Sequence, residues 1–195
     1  MLNFSEACER NQEPIRQTMS EWIDTPGLML ELGSGSGQHA LYLGAAFPQL
    51  RWQPTETSLL LPVLQQNLSQ RPVNVLAPLM LDVTESPWPV VEANQIFTAN
   101  TLHIIGWNAV EALLLGAGRC LTSGGLLFVY GPMRYQGQYT SASNAEFDRW
   151  LQQRDPASGI REFEQVDGIL KRAGMALLAD HSLPANNQLL VWRKD

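Results

Sequence analysis

Leu30-Glu31-Leu32-Gly33-Ser34-Gly35-Ser36-Gly37-Gln38 is the stretch that decides how this chain folds. An apolar run at residues 28–32 leads into it, and a segment with helical spacing, 39–47, leads out. Three glycines at alternate positions allow a tight turn and let a ligand approach the main chain without meeting a Cβ. Plain strand-to-helix geometry uses glycine too, so the neighbours must discriminate. A pyrophosphate-binding turn follows GxGxxG and presents helix N-terminal amides to an anion. Here Gln38 stands where the third glycine is expected, and Glu31 lies two residues before the first. A carboxylate there repels a diphosphate and suits a ligand bearing a cationic amine. That disfavours a nicotinamide dinucleotide. No Lys-Ser/Thr pair follows the loop, which excludes a P-loop.

Outward from this turn, short apolar runs alternate with longer helical patterns. The runs are 28–32, 50–55, 75–81, 95–99 and 126–130, closed by 175–180 and 188–193. Between them, 39–47, 59–68, 108–121 and 161–173 carry apolar residues at i, i+3 and i+4. Val110, Leu113, Leu114, Ala117 and Leu121 show the spacing well. This alternation predicts an α/β fold with a mostly parallel seven-stranded sheet and helices on both faces. The last two strands have only 182–187 between them, too short for a crossover helix, so they form a C-terminal antiparallel hairpin. The pair Asn186-Asn187 supplies residues that tolerate positive φ at its turn.

We read residues 1–195 as one domain. It has an N-terminal helical cap within 1–24 and an insertion at 133–158 near the expected acceptor site. The cap helix spans 10–22, with Pro14 in its first turn. The insertion carries a short helix over 144–151, capped by Ser143 or Asn144.

Composition narrows the function classes. The chain is 45% apolar and 16% charged, against roughly 25% charged in an average soluble protein. Thirteen basic and nineteen acidic side chains give a net charge of -6, and only Lys171 and Lys194 among the bases are not arginine. With no basic run, binding to a nucleic-acid backbone or an anionic membrane is not expected. Residues 1–6 lack the basic and apolar regions of a signal peptide, and no apolar stretch approaches the ~20 residues of a spanning helix. Cys8 and Cys120 form no CxxC pair, and His39, His103 and His181 are scattered, so neither a zinc site nor any other metal site is indicated. The expected setting is cytoplasmic.

The pattern Glu-x-Gly-x-Gly-x-Gly resembles the first motif of the class I, Rossmann-like methyltransferases, whose cofactor is S-adenosyl-L-methionine. The resemblance implies cofactor contacts from Glu31, Gly33, Ser34, Gly35 and Gly37. It implies more from Glu56 at the end of the second run, where a carboxylate can accept both ribose hydroxyls. Asp82 after the third run would reach the adenine amine, and Asn100 closes the fourth. Each acid read alone is a solvated strand-end side chain; three in order after successive strands favour the cofactor. Over nearly its whole length the chain is also similar to the uncharacterised family that includes methyltransferase-like protein 26. That likeness rests on long polar segments such as Ala7-Cys8-Glu9-Arg10-Asn11, Trp52-Gln53-Pro54-Thr55-Glu56, Asn100-Thr101-Leu102-His103-Ile104 and Leu183-Pro184-Ala185-Asn186-Asn187. One departure, Ile105-Gly106-Trp107 where Ser-Pro-Trp is expected, bears on the cap of the next helix.

In such a fold the acceptor lies beyond the strand C-termini. Thr101-Leu102 replaces the two prolines of the Asn/Asp-Pro-Pro-aromatic signature, which disfavours adenine or glutamine N-methylation. His103 is the candidate catalytic base, with the alternative that it only fixes the strand-helix turn. Arg10, Asn11, Tyr130 and Arg134 are candidate substrate contacts, each with a structural alternative. For Arg134 and Arg154 that alternative is an ion pair with Asp148, Asp155 or Glu162. Trp107 and Trp150 read as core or lid packing. The expected function is methyl transfer to a small molecule, with O- and N-transfer both open. The alternative is a non-catalytic sensor or scaffold that binds the same cofactor.

Overall fold

The computed structural model describes residues 1–195. In chain order the elements are α1 (Glu6–Met19), β1 (Gly27–Glu31), α2 (Gln38–Ala46), β2 (Leu50–Glu56), α3 (Leu61–Asn67), β3 (Leu79–Met80), β4 (Ala93–Ala99) and α4 (Trp107–Cys120). They continue as β5 (Leu121–Gly131), β6 (Met133–Tyr135), β7 (Gln138–Tyr139), α5 (Ala142–Arg154), β8 (Arg161–Glu162), α6 (Phe163–Arg172), β9 (Met175–Leu183) and β10 (Asn187–Lys194). Seven strands form one sheet in the order β3-β2-β1-β4-β5-β10-β9. All its pairings are parallel except β5–β10 and β10–β9. No helix is long and apolar enough to cross a membrane.

Alternation along the strands builds the two faces. Leu30, Ile96, Leu127, Val129, Leu190 and Trp192 pack with α4 and α6 in one apolar cluster. Their neighbours Met29, Phe97, Phe128, Leu189 and Val191 pack with α1 and α2 in the other. Each such side chain removed from water contributes about 1.5–3 kcal/mol, so the strand period of two specifies which residue faces which layer. The chain builds β1, β2 and β3 outward in one direction, then returns to place β4 on the other side of β1. The crevice at such a reversal is where open α/β sheets bind ligands.

The departures from the sequence pattern have local causes. The run at 75–81 yields only β3 and an isolated bridge between Trp52 and Val75. Pro54 and Pro78 lack ladder donors, and the Gln53 side chain bonds the Ala77 carbonyl instead. Helix α1 starts earlier than residue 10 because Ser5 is its N-cap, its hydroxyl accepting from Cys8 N. Pro14 therefore lies inside the helix, not in its first turn. In the insertion, the α5 cap is Ser141, not Ser143 or Asn144; its hydroxyl accepts from Asn144 N at 3.1 Å. A small sheet, β7-β6-β8, was not anticipated. Its hairpin turns on Gln136 and Gly137, both at positive φ, a two-residue turn without the usual Asn-Gly signal. Arg161 and Glu162 join that sheet as β8, which delays α6 to Phe163. At the last hairpin the positive-φ pair is Ala185-Asn186; Asn187 already begins β10.

Candidate functional site

The glycine turn sits at the sheet reversal and is fastened on both sides. Leu32 N donates to the Phe97 carbonyl at 2.9 Å, and Ser34 N to the Thr55 carbonyl at 2.9 Å. Gly33, Gly35 and Gly37 all have positive φ, at 71°, 55° and 82°. At Gly37 an added Cβ would meet Leu64 Cδ1 at 2.8 Å, so this glycine is required by packing as well as by φ. At Gly35 a Cβ would enter open space, the side on which a ligand can approach the main chain.

Glu56 and Glu31 lie close to the turn. Glu56 is 7% exposed; its Oε2 accepts from Gly35 N at 2.9 Å and its Oε1 from Thr57 N at 2.7 Å. Each oxygen keeps a lone pair for a further donor. Glu31 is buried, with its Oε2 accepting from Trp52 Nε1 at 2.7 Å. Burial, aided by the nearby Glu56 charge, pushes its carboxyl up to about 7 against the hydrogen bonds from Trp52 and Ser34. No cationic side chain pairs with this buried acid. Asp82 reaches the same sheet end because Leu81 N donates to the Glu56 carbonyl. The Thr84 hydroxyl and N–H both donate to Asp82 Oδ1, which holds its carboxyl below the usual range and leaves Oδ2 free.

Gln38, noted in the sequence only as a departure, has a definite task. Its amide grips both main-chain groups of Ser5: Ser5 N donates to Oε1 at 2.6 Å, and Nε2 donates to the Ser5 carbonyl at 3.1 Å. Asn67 grips Leu2 in the same way, at 2.8 and 2.9 Å, and also donates to the Ser36 carbonyl. Residues 2–5 are thus strapped to the glycine turn, and α1 leads from there across a second space. Nothing short-range in the sequence announces these pairings, which join residues 31 to 65 positions apart.

That second space is a cavity of about 620 Å³ beyond the ends of β4 and β5. Arg10 and Asn11 from α1, Asn100 and His103 after β4, Tyr130 on β5 and Phe147 on α5 all face it. Asn100 adopts φ 56°, and its N–H donates to the Tyr130 carbonyl at 2.8 Å. The His103 ring is 6% exposed and edge-on to Phe147, with 5.4 Å between centroids. Burial, and secondarily the Arg161 charge, lowers it to about 4, so it is a neutral and weak base at pH 7. The turn itself is fixed by the His103 carbonyl, which accepts from Gly159 N, not by the ring. Asn11 Oδ1 lies 2.7 Å from His39 Nε2; an amide oxygen only accepts, so His39 is the donor and the Asn11 amide group is left to meet Tyr130. Burial raises the Tyr130 hydroxyl above its ordinary value.

Arg134 does not join this group. It lies in β6, 3.4 Å from Glu162 Oε2, with its guanidinium over the Tyr139 ring, as the ion-pair alternative anticipated. The arginine that shapes the site is Arg161, which the sequence did not single out. It donates to the carbonyls of Leu102, Ile105 and Ala157 and stacks over Trp107. These bonds pin the turn carrying His103 to the insertion. Gly106 caps α4 without a side-chain hydrogen bond, the consequence of its departure from the expected Ser-Pro-Trp. Trp150 is 51% exposed and stacks on Phe147, and Arg154 covers its ring rather than forming an ion pair.

Comparison with known structures identifies the architecture. The chain is similar to human N-acetylserotonin methyltransferase in complex with SAM: TM-score 0.79, 18% identity, covering 97% of this chain and 53% of that one. It is similar to an O-methyltransferase family protein from Burkholderia thailandensis, with TM-score 0.77 and 16% identity over 97% of this chain and 58% of the other. A third, an O-methyltransferase family 2 protein from Planctomyces limnophilus in complex with apigenin, gives TM-score 0.77 and 16% identity, covering 98% and 62%. This chain therefore spans little more than half the length of these structures. The fold is the α/β, Rossmann-like methyltransferase fold. The chain belongs to the family described as a protein of unknown function (DUF938), whose model matches residues 2–194.

Proposed function

We propose that this protein binds S-adenosyl-L-methionine at the glycine turn and transfers its methyl group to a small molecule held in the adjoining cavity. The observation that carries the reading is the placement of two buried acids, Glu31 and Glu56, around the glycine turn, with a separate cavity beyond the ends of β4 and β5. The donor set fits the cofactor. Glu56 has free lone pairs for ribose hydroxyls, Asp82 Oδ2 is available to an exocyclic amine, and the open side of Gly35 admits a nucleoside. Glu31 supplies negative charge for a cationic amino acid end. Two carboxylates make the same place hostile to a diphosphate, which weighs against NAD.

When bound, the cofactor supplies an electrophilic methyl on a sulfonium. The chain's own contribution is alignment: Asn100, His103, Tyr130 and Asn11 orient the acceptor for in-line attack, and α1 with its strap excludes water. A cavity that presents Asn11, Asn100, His103 and Tyr130 is what an acceptor requires and a sensor does not, and it supports the enzyme over the scaffold. The polar segments similar to the family that includes methyltransferase-like protein 26 support the same reading. With free Cys8 and Cys120, a reducing cytoplasmic setting suits it. Isothermal titration with S-adenosylmethionine, NAD and ATP tests the cofactor, and release of S-adenosylhomocysteine with a metabolite pool tests the transfer. Binding of NAD in preference to the adenosyl cofactor would end this reading.

A further inference from the structure

The cavity's charge inventory says what kind of acceptor it takes. None of its 17 lining residues is an aspartate or glutamate, and Arg10 is the one formally charged side chain among them. Arg10 is 70% exposed, and its partner Glu6 lies outside the lining, 3.3 Å away. Behind the wall, the Arg161 charge acts on His103 at one side of the cavity and the Glu31 charge acts on Cys8 at the other. The neutral groups include the Asn100 amide and the Tyr130 hydroxyl, whose oxygen the Asn11 and Asn187 side chains hydrogen-bond. The acids near the glycine turn, Glu31 and Glu56, belong to the cofactor side of the strap and not to this lining.

We propose that the acceptor is a small organic oxyanion, a carboxylate or an ionised hydroxyl, that enters the cavity already deprotonated. This rests on the methyltransferase reading and resolves its open choice toward oxygen. The step balances without a proton: an acceptor oxygen lone pair forms the O–CH₃ bond, the S–CH₃ bond breaks with its electron pair remaining on sulfur, and one negative and one positive charge cancel. A neutral amine would instead leave a cationic product in a cavity with no carboxylate to receive it. A neutral alcohol would need a base, and His103, buried without an acidic partner, is poorly suited to withdraw a proton from one. Charge cancellation between an anionic oxygen and the sulfonium needs no such help.

The test is a charge series of near-isosteres: benzoate, benzyl alcohol and benzylamine, titrated calorimetrically into the protein alone and into the protein saturated with S-adenosylhomocysteine. Benzoate should bind at least about tenfold more tightly than benzylamine, the scale expected when one charged hydrogen-bonding partner is matched or opposed. Arg10→Gln, an exposed change that leaves folding intact, should weaken benzoate several-fold while S-adenosylhomocysteine affinity is unchanged. Equal or tighter binding of benzylamine, or of benzyl alcohol, overturns the oxyanion assignment, as does the absence of any preference. Failure of S-adenosylhomocysteine to bind would instead overturn the cofactor reading, and the series on the protein alone still reads the cavity's sign. A second arm separates the two sources: with labelled cofactor, ester products identify a carboxylate acceptor and aryl ethers an ionised hydroxyl.

Discussion

Replacing Glu31 with glutamine should stabilise the protein at alkaline pH while weakening cofactor binding. Its carboxyl has an ordinary value of 4.5 and is pushed up to about 7 in the folded chain, chiefly by burial. A raised folded value means that the stability present below pH 4.5 is lost as pH rises through 7. Below 4.5 both folded and unfolded states hold the proton, and between 4.5 and 7 the unfolded chain releases it first. Each pH unit in that window costs about 1.4 kcal/mol, so the full penalty above pH 7 is about 3 kcal/mol. Glutamine is never ionised, and its amide oxygen still accepts from Trp52 Nε1 where Glu31 Oε2 does, at 2.7 Å. At roughly 2–4 °C per kcal/mol for a chain of this size, the variant should melt about 7 °C higher at pH 8. At pH 5 the gain should shrink to under about 1 kcal/mol. The assay is thermal unfolding of wild type and Glu31→Gln without ligand across pH 5–8. His39 and His103 also titrate in the acid part of this range but are common to both proteins and cancel. An equal increment at both pH values, or a lower melting point at pH 8, would refute the reasoning. The same substitution should loosen S-adenosylmethionine in calorimetry, since the buried charge proposed to meet its amino group is gone. A site that costs stability until its ligand arrives is the expected pattern for function.

Other outcomes follow from the geometry. Glu56→Ala removes the acceptor of Gly35 N–H and the proposed ribose contact, and should weaken cofactor binding by about 1–3 kcal/mol by calorimetry; unchanged affinity counts against the ribose role. His39 and His103 are both lowered to about 4 by burial, so their contribution is present above pH 6.5 and lost as pH falls toward 4. In denaturant titrations over that window, His103→Gln should flatten the pH slope by up to about 1.4 kcal/mol per unit; an unaltered slope would show that the ring is not held neutral. Gln38→Ala severs both bonds to Ser5, and hydrogen exchange should show loss of protection at the Ser5 amide and the start of α1 with the sheet unaffected. Protection as in wild type would mean that Asn67 alone holds the strap.

Much of the architecture was legible because it rests on local pattern. Periods of two and 3.6 place the strands and helices, and the short connection before β10, with no room for a crossover helix, forces its antiparallel return. Where a single proline or a distant partner intervened, the pattern misled: Pro78 reduces a seven-residue apolar run to the two residues of β3. The small sheet escaped notice because β8 is two residues long and gains its identity only from pairing with β6.

The site divides along the same line. By itself the sequence placed the glycine turn and the acids Glu31, Glu56 and Asp82 at the ends of successive apolar runs, because residues at strand ends keep a constant offset from the strands that carry them. Only the tertiary structure decided that Trp52 meets Glu31, that Gln38 straps Ser5, and that Arg161 rather than Arg134 holds the turn carrying His103. Those contacts join elements far apart in the chain, and their distances depend on how helices and sheet pack. The net charge of -6 is a matter of composition alone, but the absence of any carboxylate from the cavity wall is a property of folding. Burial decides which of nineteen acids face a ligand, and burial is a collective result of packing.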